Sequence, residues 1–194
     1  TQYIDADMNN FSDLLYIEGY FESEKYFKKF KNKLKSKFII KDKYLDQNNK
    51  FIELLKNNNS VSISVRQNRY SERGIVDNDK SLKFTKNTID YIYKAVSFFK
   101  KKITNPRFFI WSNDFKNLNN YFNKNEFTFI ENQNSKSLND FNLFRYSKHF
   151  IVGPTSFHWW GAWLNETPDK ICVRPSNINP SNNKDFWPDD WIKI

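Results

Sequence analysis

His149-Phe150-Ile151-Val152-Gly153-Pro154-Thr155-Ser156-Phe157-His158-Trp159-Trp160-Gly161-Ala162-Trp163-Leu164 is an apolar run, a turn of small residues and an aromatic block in succession. The first four residues read as a buried strand, and the aromatic block reads as a helix. A strand that turns tightly into a helix leaves the first N–H groups of that helix without intrahelical partners. The helix dipole adds partial positive charge at the same place. Such a turn suits an anion, most often a phosphate. Thr155 and Ser156 sit in it, either as caps on an ordinary core helix or as ligands to a bound oxygen.

Upstream, Ser60-Val61-Ser62-Ile63-Ser64-Val65 alternates polar and apolar residues, the period of a strand, and runs into Arg66-Gln67-Asn68-Arg69-Tyr70-Ser71-Glu72-Arg73-Gly74. Arginines just past a strand end can clamp a pyrophosphate, because the guanidinium fork matches phosphate oxygens. A surface loop with Arg–Glu pairs is the alternative. Phe84 to Lys102 carries Ile89, Ile92, Tyr93, Val96 and Phe99 at helical spacing, with lysines in its last turn and Asn105-Pro106 to stop it. Arg107 to Ser112 is another buried strand, followed by Asn113-Asp114, where Asp114 is placed to cap a helix over 115–122. Phe127 to Ile130 is a short strand, Ser137 to Asp140 opens a helix with Phe141 and Phe144 on its apolar side, and Lys170 to Pro175 is a last strand. Before all of these, Lys41 to Asn59 contains a short amphipathic helix with Phe51, Ile52, Leu54 and Leu55 as its apolar side.

Strand and helix thus alternate from Val61 to the end. That order predicts an α/β fold, a parallel sheet with helices on both faces. Ligands of such sheets sit at the carboxyl ends of the strands. Arg66, Ser112 with Asp114, and Thr155 with Ser156 all fall just past strand ends, so three separate segments converge on one edge as a nucleotide site.

Composition narrows the rest. The 194 residues are 39% hydrophobic and 19% aromatic, enough for a sizeable core. No apolar run is long enough to span a bilayer. Cys172 is the single cysteine, which excludes an intramolecular disulfide; it reads as a small buried hydrophobe. The net charge of +9 is concentrated in Lys25 to Lys43 and Lys100 to Lys102. Such a balance fits nucleic acid, an anionic membrane surface or a phosphorylated ligand. The aromatics fall at core periodicities and no nucleic-acid motif is present, so no nucleic acid is expected as partner. Asp5-Ala6-Asp7 and Asp77-Asn78-Asp79 are too short to argue for a metal.

Ser156-Phe157-His158-Trp159-Trp160-Gly161-Ala162-Trp163-Leu164 resembles the Ser-Phe-x-Trp-Trp-Gly-Ala-Trp-Leu signature of the α-1,2-fucosyltransferases, glycosyltransferase family 11. Gly19 to Phe27 resembles the family's Gly-Tyr-x-x-Ser-Glu-Lys-Tyr-Phe, in which Ser23 would cap a helix continuing through Lys37. Ser64 to Tyr70 is similar to its His-x-Arg-Arg-Gly-Asp-Tyr: Arg66 and Tyr70 match, while Ser64 stands for His, Gln67 for the second Arg, Asn68 for Gly and Arg69 for Asp. Ser112-Asn113-Asp114 looks like its Phe-Ser-Asp-Asp, and Phe186 to Ile192 like its ending.

The resemblance implies the C-terminal half of a GT-B-type glycosyltransferase. Residues 1–36 would be a linker or remnant of the N-terminal acceptor domain, and 37–194 a Rossmann-like GDP-sugar-binding domain. It implies an inverting, metal-independent enzyme without cofactor. This enzyme moves fucose, or a related GDP-linked deoxy sugar or heptose, to a glycan of a surface polysaccharide. Arg66 is then the donor-phosphate ligand, and Arg69 supplies charge from a shifted position. Ser112 and Asp114 reach the base, where a carboxylate can accept from guanine N1–H and its exocyclic amine. Thr155, Ser156 and Phe157 line the donor, and His158 is the candidate general base. The cytoplasm is the expected location, with peripheral attachment to the inner membrane left open. The alternatives are a nucleotide-sugar-binding domain without transfer activity and a basic nucleic-acid-binding domain.

Overall fold

The computed structural model describes residues 3–5, 16, 18–41, 50–71, 76–131, 137–178 and 183–194. They form two compact units. One comprises residues 1–39 and 179–190, the other 40–178 and 191–194.

In the first unit, Ser23 accepts from Lys25 N and caps a 3-10 turn, Glu24–Tyr26. A second such turn, Lys28–Phe30, precedes helix α1, Lys31–Lys37. The continuous helix expected from Ser23 to Lys37 is therefore broken at its start. Phe27 leaves the helical conformation at φ −137°, which ends the first turn. Asp185 accepts from Tyr3 N and binds Lys25, and Asn183 donates to Glu22 O. These bonds join Asn183 and Asp185 to the N-terminal part of the same compact unit. Of the residues named above, Asp7, Glu72, Arg73 and Gly74 lie outside the described residues.

The second unit is built on strands β1 (Asn59–Val65), β2 (Pro106–Ser112), β3 (Phe127–Phe129), β4 (His149–Ile151), β5 (Cys172–Arg174) and β6 (Ile192–Lys193). The sheet order is β3-β2-β1-β4-β5-β6 and every pairing is parallel. This is the strand order of the Rossmann fold. Helices α2 (Phe51–Asn57), α3 (Asn78–Lys102), α4 (Ser137–Phe144) and α5 (Ser156–Leu164) complete it.

β1 shows why both faces are covered. Val61, Ile63 and Val65 pack with Ile89, Ile92, Val96 and Phe99 of α3 in the main core. The intervening serines, which alternation alone would turn to water, are buried as well. Each hydroxyl has a protein partner: Ser60 donates to Leu55 O at 2.6 Å, Ser62 meets Ser147 Oγ at 2.5 Å and accepts from Trp111 Nε1 at 2.7 Å, and Ser64 meets His158 Nδ1. A buried hydroxyl left without a partner costs about 1–3 kcal/mol. The serine ladder is thus a set of specific ties to α2, α5 and the chain entering β4.

α3 begins six residues before Phe84, capped by Asp77, whose carboxylate accepts from Lys80 N at 2.8 Å. Tyr91 donates from its buried hydroxyl to Val152 O and Val173 O, anchoring the helix to the ends of β4 and β5. Two expectations are corrected. No α-helix covers 115–122; only a 3-10 turn, Leu118–Asn120, forms there, because Asn117 adopts φ 60° and the Asp114 carboxylate bonds Lys116 N in a tight turn. Lys170–Pro175 is not the last strand either, since Ile192–Lys193 adds β6 outside it. Cys172 is buried, as expected.

Helices α4 and α5 meet at Gly161. A Cβ there would lie 2.5 Å from Phe144 Cδ1, a ring with no exposure. Gly161→Ala is therefore expected to destabilise the fold by about 1–3 kcal/mol despite alanine's better helix propensity. Chemical denaturation measures it, and an unchanged or raised midpoint would contradict the packing.

Candidate active site

The strand order reverses between β1 and β4, so the chain leaves their carboxyl ends in opposite directions and opens a crevice there. Arg66 is the first residue beyond β1. Beyond β4 the chain passes Val152 and Gly153 into Thr155, the N-cap of α5. A Cβ on Gly153 would sit 2.9 Å from Ser64 Oγ, so only glycine lets this turn lie so close to the end of β1. Pro154 and the short turn then present the amino end of α5 to the crevice.

His158 holds the two sides together. Its Nδ1 meets Ser64 Oγ of β1 and, at 2.7 Å, Thr155 Oγ1 of the cap, while its backbone N donates to the same Thr155 oxygen at 3.4 Å. Burial first, and the Arg66 guanidinium second, push its pKa down to about 3. The ring is neutral at physiological pH. The motif that resembles this segment has histidine at position 64; here an imidazole still stands against the end of β1, but it is delivered from α5.

On the other flank, Gln67 donates from its side chain to Asp114 O at 2.6 Å and Lys116 O at 3.1 Å, and its backbone N donates to Asn113 Oδ1 at 2.9 Å. Asn68, at φ 55°, donates to Asp114 Oδ2 at 3.2 Å. Ser112 Oγ donates to Asp114 O and accepts from Asp114 N. Asp114 and Asn113 border an open cleft of about 490 Å³ that also takes in Phe115, Lys124, Phe129 and Glu131.

The fold brings Arg66, Ser112, Asp114, Thr155 and Ser156 to the same edge of one sheet. Thr155 is half-buried and Ser156 exposed. Phe157 turns to α4, its ring 5.3 Å from that of Phe141. Arg69 lies with its guanidinium 5.8 Å above Phe84 of α3. Sequence reasoning did not single out Ser64, Gly153, Gln67 or Asn68 as parts of the site. Their positions one to three residues from a strand end, and for Ser64, Gln67 and Asn68 their places in the similar motif, were the signals available.

A parallel six-stranded sheet of this order defines a Rossmann-like α/β protein, with Arg66 and the amino end of α5 just past the strands that flank its reversal point. The chain belongs to glycosyl transferase family 11, whose family model matches residues 4–194. It is 28% identical over 185 residues to an alpha-1,2-colitosyltransferase of Escherichia coli, covering 91% of this chain and 61% of that protein. It is also 28% identical over 145 residues to the O-antigen biosynthesis glycosyltransferase WbnK of Escherichia coli, covering 73% of this chain and 46% of that one. The chain thus spans roughly half to three-fifths of the length of these relatives. No solved structure matches it. No helix among the described residues is long and apolar enough to cross a membrane.

Proposed function

We propose that this chain binds the donor of an inverting glycosyltransferase that moves a deoxy sugar from a GDP-sugar to a glycan of a surface polysaccharide. The observation that carries the reading is the crevice between β1 and β4, with Arg66 on one side and the amino end of α5 on the other. Arg66, Thr155, Ser156 and the N–H groups of α5 stabilise the diphosphate as it leaves, a charge developing where fixed donors already point. Asp114, beside the open cleft, reads the base. The acceptor hydroxyl attacks the anomeric carbon from the face opposite the diphosphate. His158 is assigned to holding the turn rather than to taking that proton: its conjugate acid, at about 3, makes too weak a base at neutral pH. The name of the colitosyltransferase supports colitose as the sugar, and that of WbnK supports an O-antigen glycan as the acceptor; fucose rests on the resemblance of the Ser156–Leu164 motif alone. The proposal gives the diphosphate's charge to protein groups, so turnover should persist in excess EDTA.

A second reading, a nucleotide-sugar-binding domain without transfer, is favoured by Gln67. Where the similar motif has its second arginine, this side chain is engaged with two backbone carbonyls. Calorimetry with GDP, ADP and UDP tests the binding, and release of GDP from GDP-fucose or GDP-colitose in the presence of O-antigen acceptors tests the transfer. Selective GDP binding with turnover supports the first reading, and binding without turnover the second. Failure to bind any of the three removes both.

A further inference from the structure

We infer that Ser64 and His158 are positioning residues that release the Thr155 hydroxyl proton to a ligand in the crevice. The inference rests on the proposed donor site. His158 Nδ1 faces two hydroxyls, Ser64 Oγ and Thr155 Oγ1. A ring nitrogen has either one proton to give or one lone pair to offer. Ser64 is 1% exposed, and Nδ1 is the partner of its hydroxyl among the described residues. A buried hydroxyl proton needs an acceptor. The arrangement that satisfies it has Ser64 donating to an unprotonated Nδ1, with the ring proton on Nε2.

Thr155 differs from Ser64 in its surroundings. It is half-buried, caps α5 at the crevice, and accepts from His158 N. Thr155 shares the unprotonated Nδ1 at 2.7 Å when the crevice is empty, but because Ser64 also donates to that lone pair, the Thr155 proton can turn to an oxygen bound before the helix without leaving Nδ1 unsatisfied. Without Ser64, Nδ1 would claim the Thr155 proton, and a ligand could take it only by stranding a buried nitrogen. The close turn at Gly153 maintains the arrangement, because a larger residue would push Ser64 out of reach.

The test is a double-mutant cycle on GDP affinity with Ser64→Ala and Thr155→Val, and with Thr155→Ser as the conservative variant. Each single variant should weaken GDP binding about tenfold, the worth of one hydrogen bond to a charged oxygen. The double variant should be no weaker than Thr155→Val alone, and Thr155→Ser should bind like wild type. A ligand-dependent signature goes with it. The chain has only two histidines, so the nitrogen resonances of ¹⁵N-labelled imidazole can be assigned by comparison with a His149→Asn variant. His158 Nδ1 should read as unprotonated with and without GDP in wild type, and GDP should perturb it in Ser64→Ala. Additive losses in the cycle, or a protonated Nδ1 in wild type, would overturn the pair while leaving the donor site standing. Wild-type protein that binds no GDP would overturn both.

Discussion

Arg66→Ala is expected to lower turnover of a GDP-sugar by about a hundred- to a thousand-fold, the usual loss when one preorganised donor to a developing anion is removed. Selective GDP binding should go with it. The residue lies immediately past β1, at the point where the strand order reverses. Its charge is felt at the turn after β4, since it adds to burial in holding His158 neutral. A guanidinium offers two parallel N–H donors to a phosphate, which a lysine cannot reproduce. Arg66→Lys should therefore recover only part of the loss. Arg69→Ala is the informative control. Its guanidinium lies over Phe84 rather than against the amino end of α5, so the variant should cost far less than Arg66→Ala. Equal losses at the two positions would mean that the diphosphate is shared along the loop, and that the shifted arginine does replace the one that Gln67 displaced. An Arg66→Ala protein that binds GDP like wild type would move the phosphate site elsewhere.

Much of this edge could be read from the chain because each strand announces its own end. β1 ends where alternation gives way to Arg66, β2 where the aromatic run meets Ser112, and β4 where Val152 meets glycine and proline. Parallel pairing then places those ends together without further information. What local pattern could not convey was the environment of the serines on β1. Alternation is the same whether the second face meets water or three helices, and only the assembled fold decides that Ser64 needs an imidazole. The break at 115–122 was hidden for a related reason. Asp114 is as well suited to a tight turn as to a helix cap, and Asn117 in a left-handed conformation settles it. The attachment of Asp185 to Tyr3 and Lys25 joins residues 160 or more apart in the chain and carries no local signal. The link from these placements to catalysis is chemical: the strand ends deliver the residues at the crevice to one edge, and buried His158 ties the end of β1 to the turn after β4.

The burial of His158 has a consequence for pH. Acidification from pH 7.5 to 5 is expected to remove about 2 kcal/mol of stability through His158 alone, and on the order of 4–5 kcal/mol by pH 3. The unfolded side chain takes a proton near 6.5, whereas in the folded protein the pKa is pushed down to about 3. Above 6.5 both states are neutral and the full stability is present. Between 6.5 and 3 the unfolded state binds the extra proton, so stability falls as pH falls. His149 acts in the same direction, since burial and Lys148 lower its pKa while its Nδ1 accepts from Ile171 N. The carboxylate of Asp185, held below its ordinary value by Lys25, contributes only at lower pH. Histidine thus dominates the first two units of acidification. Denaturant midpoints at pH 7.5 and 5 measure the effect, with His158→Asn as the comparison. That variant should be less stable than wild type at pH 7.5, because Ser64 and Thr155 lose the ring between them, yet it should lose less on acidification. A wild-type midpoint that does not move between the two pH values would place His158 in water rather than beneath the amino end of α5. Equal losses in the two proteins would assign the acid sensitivity to other groups, and the imidazole would no longer be the tie between β1 and the turn after β4.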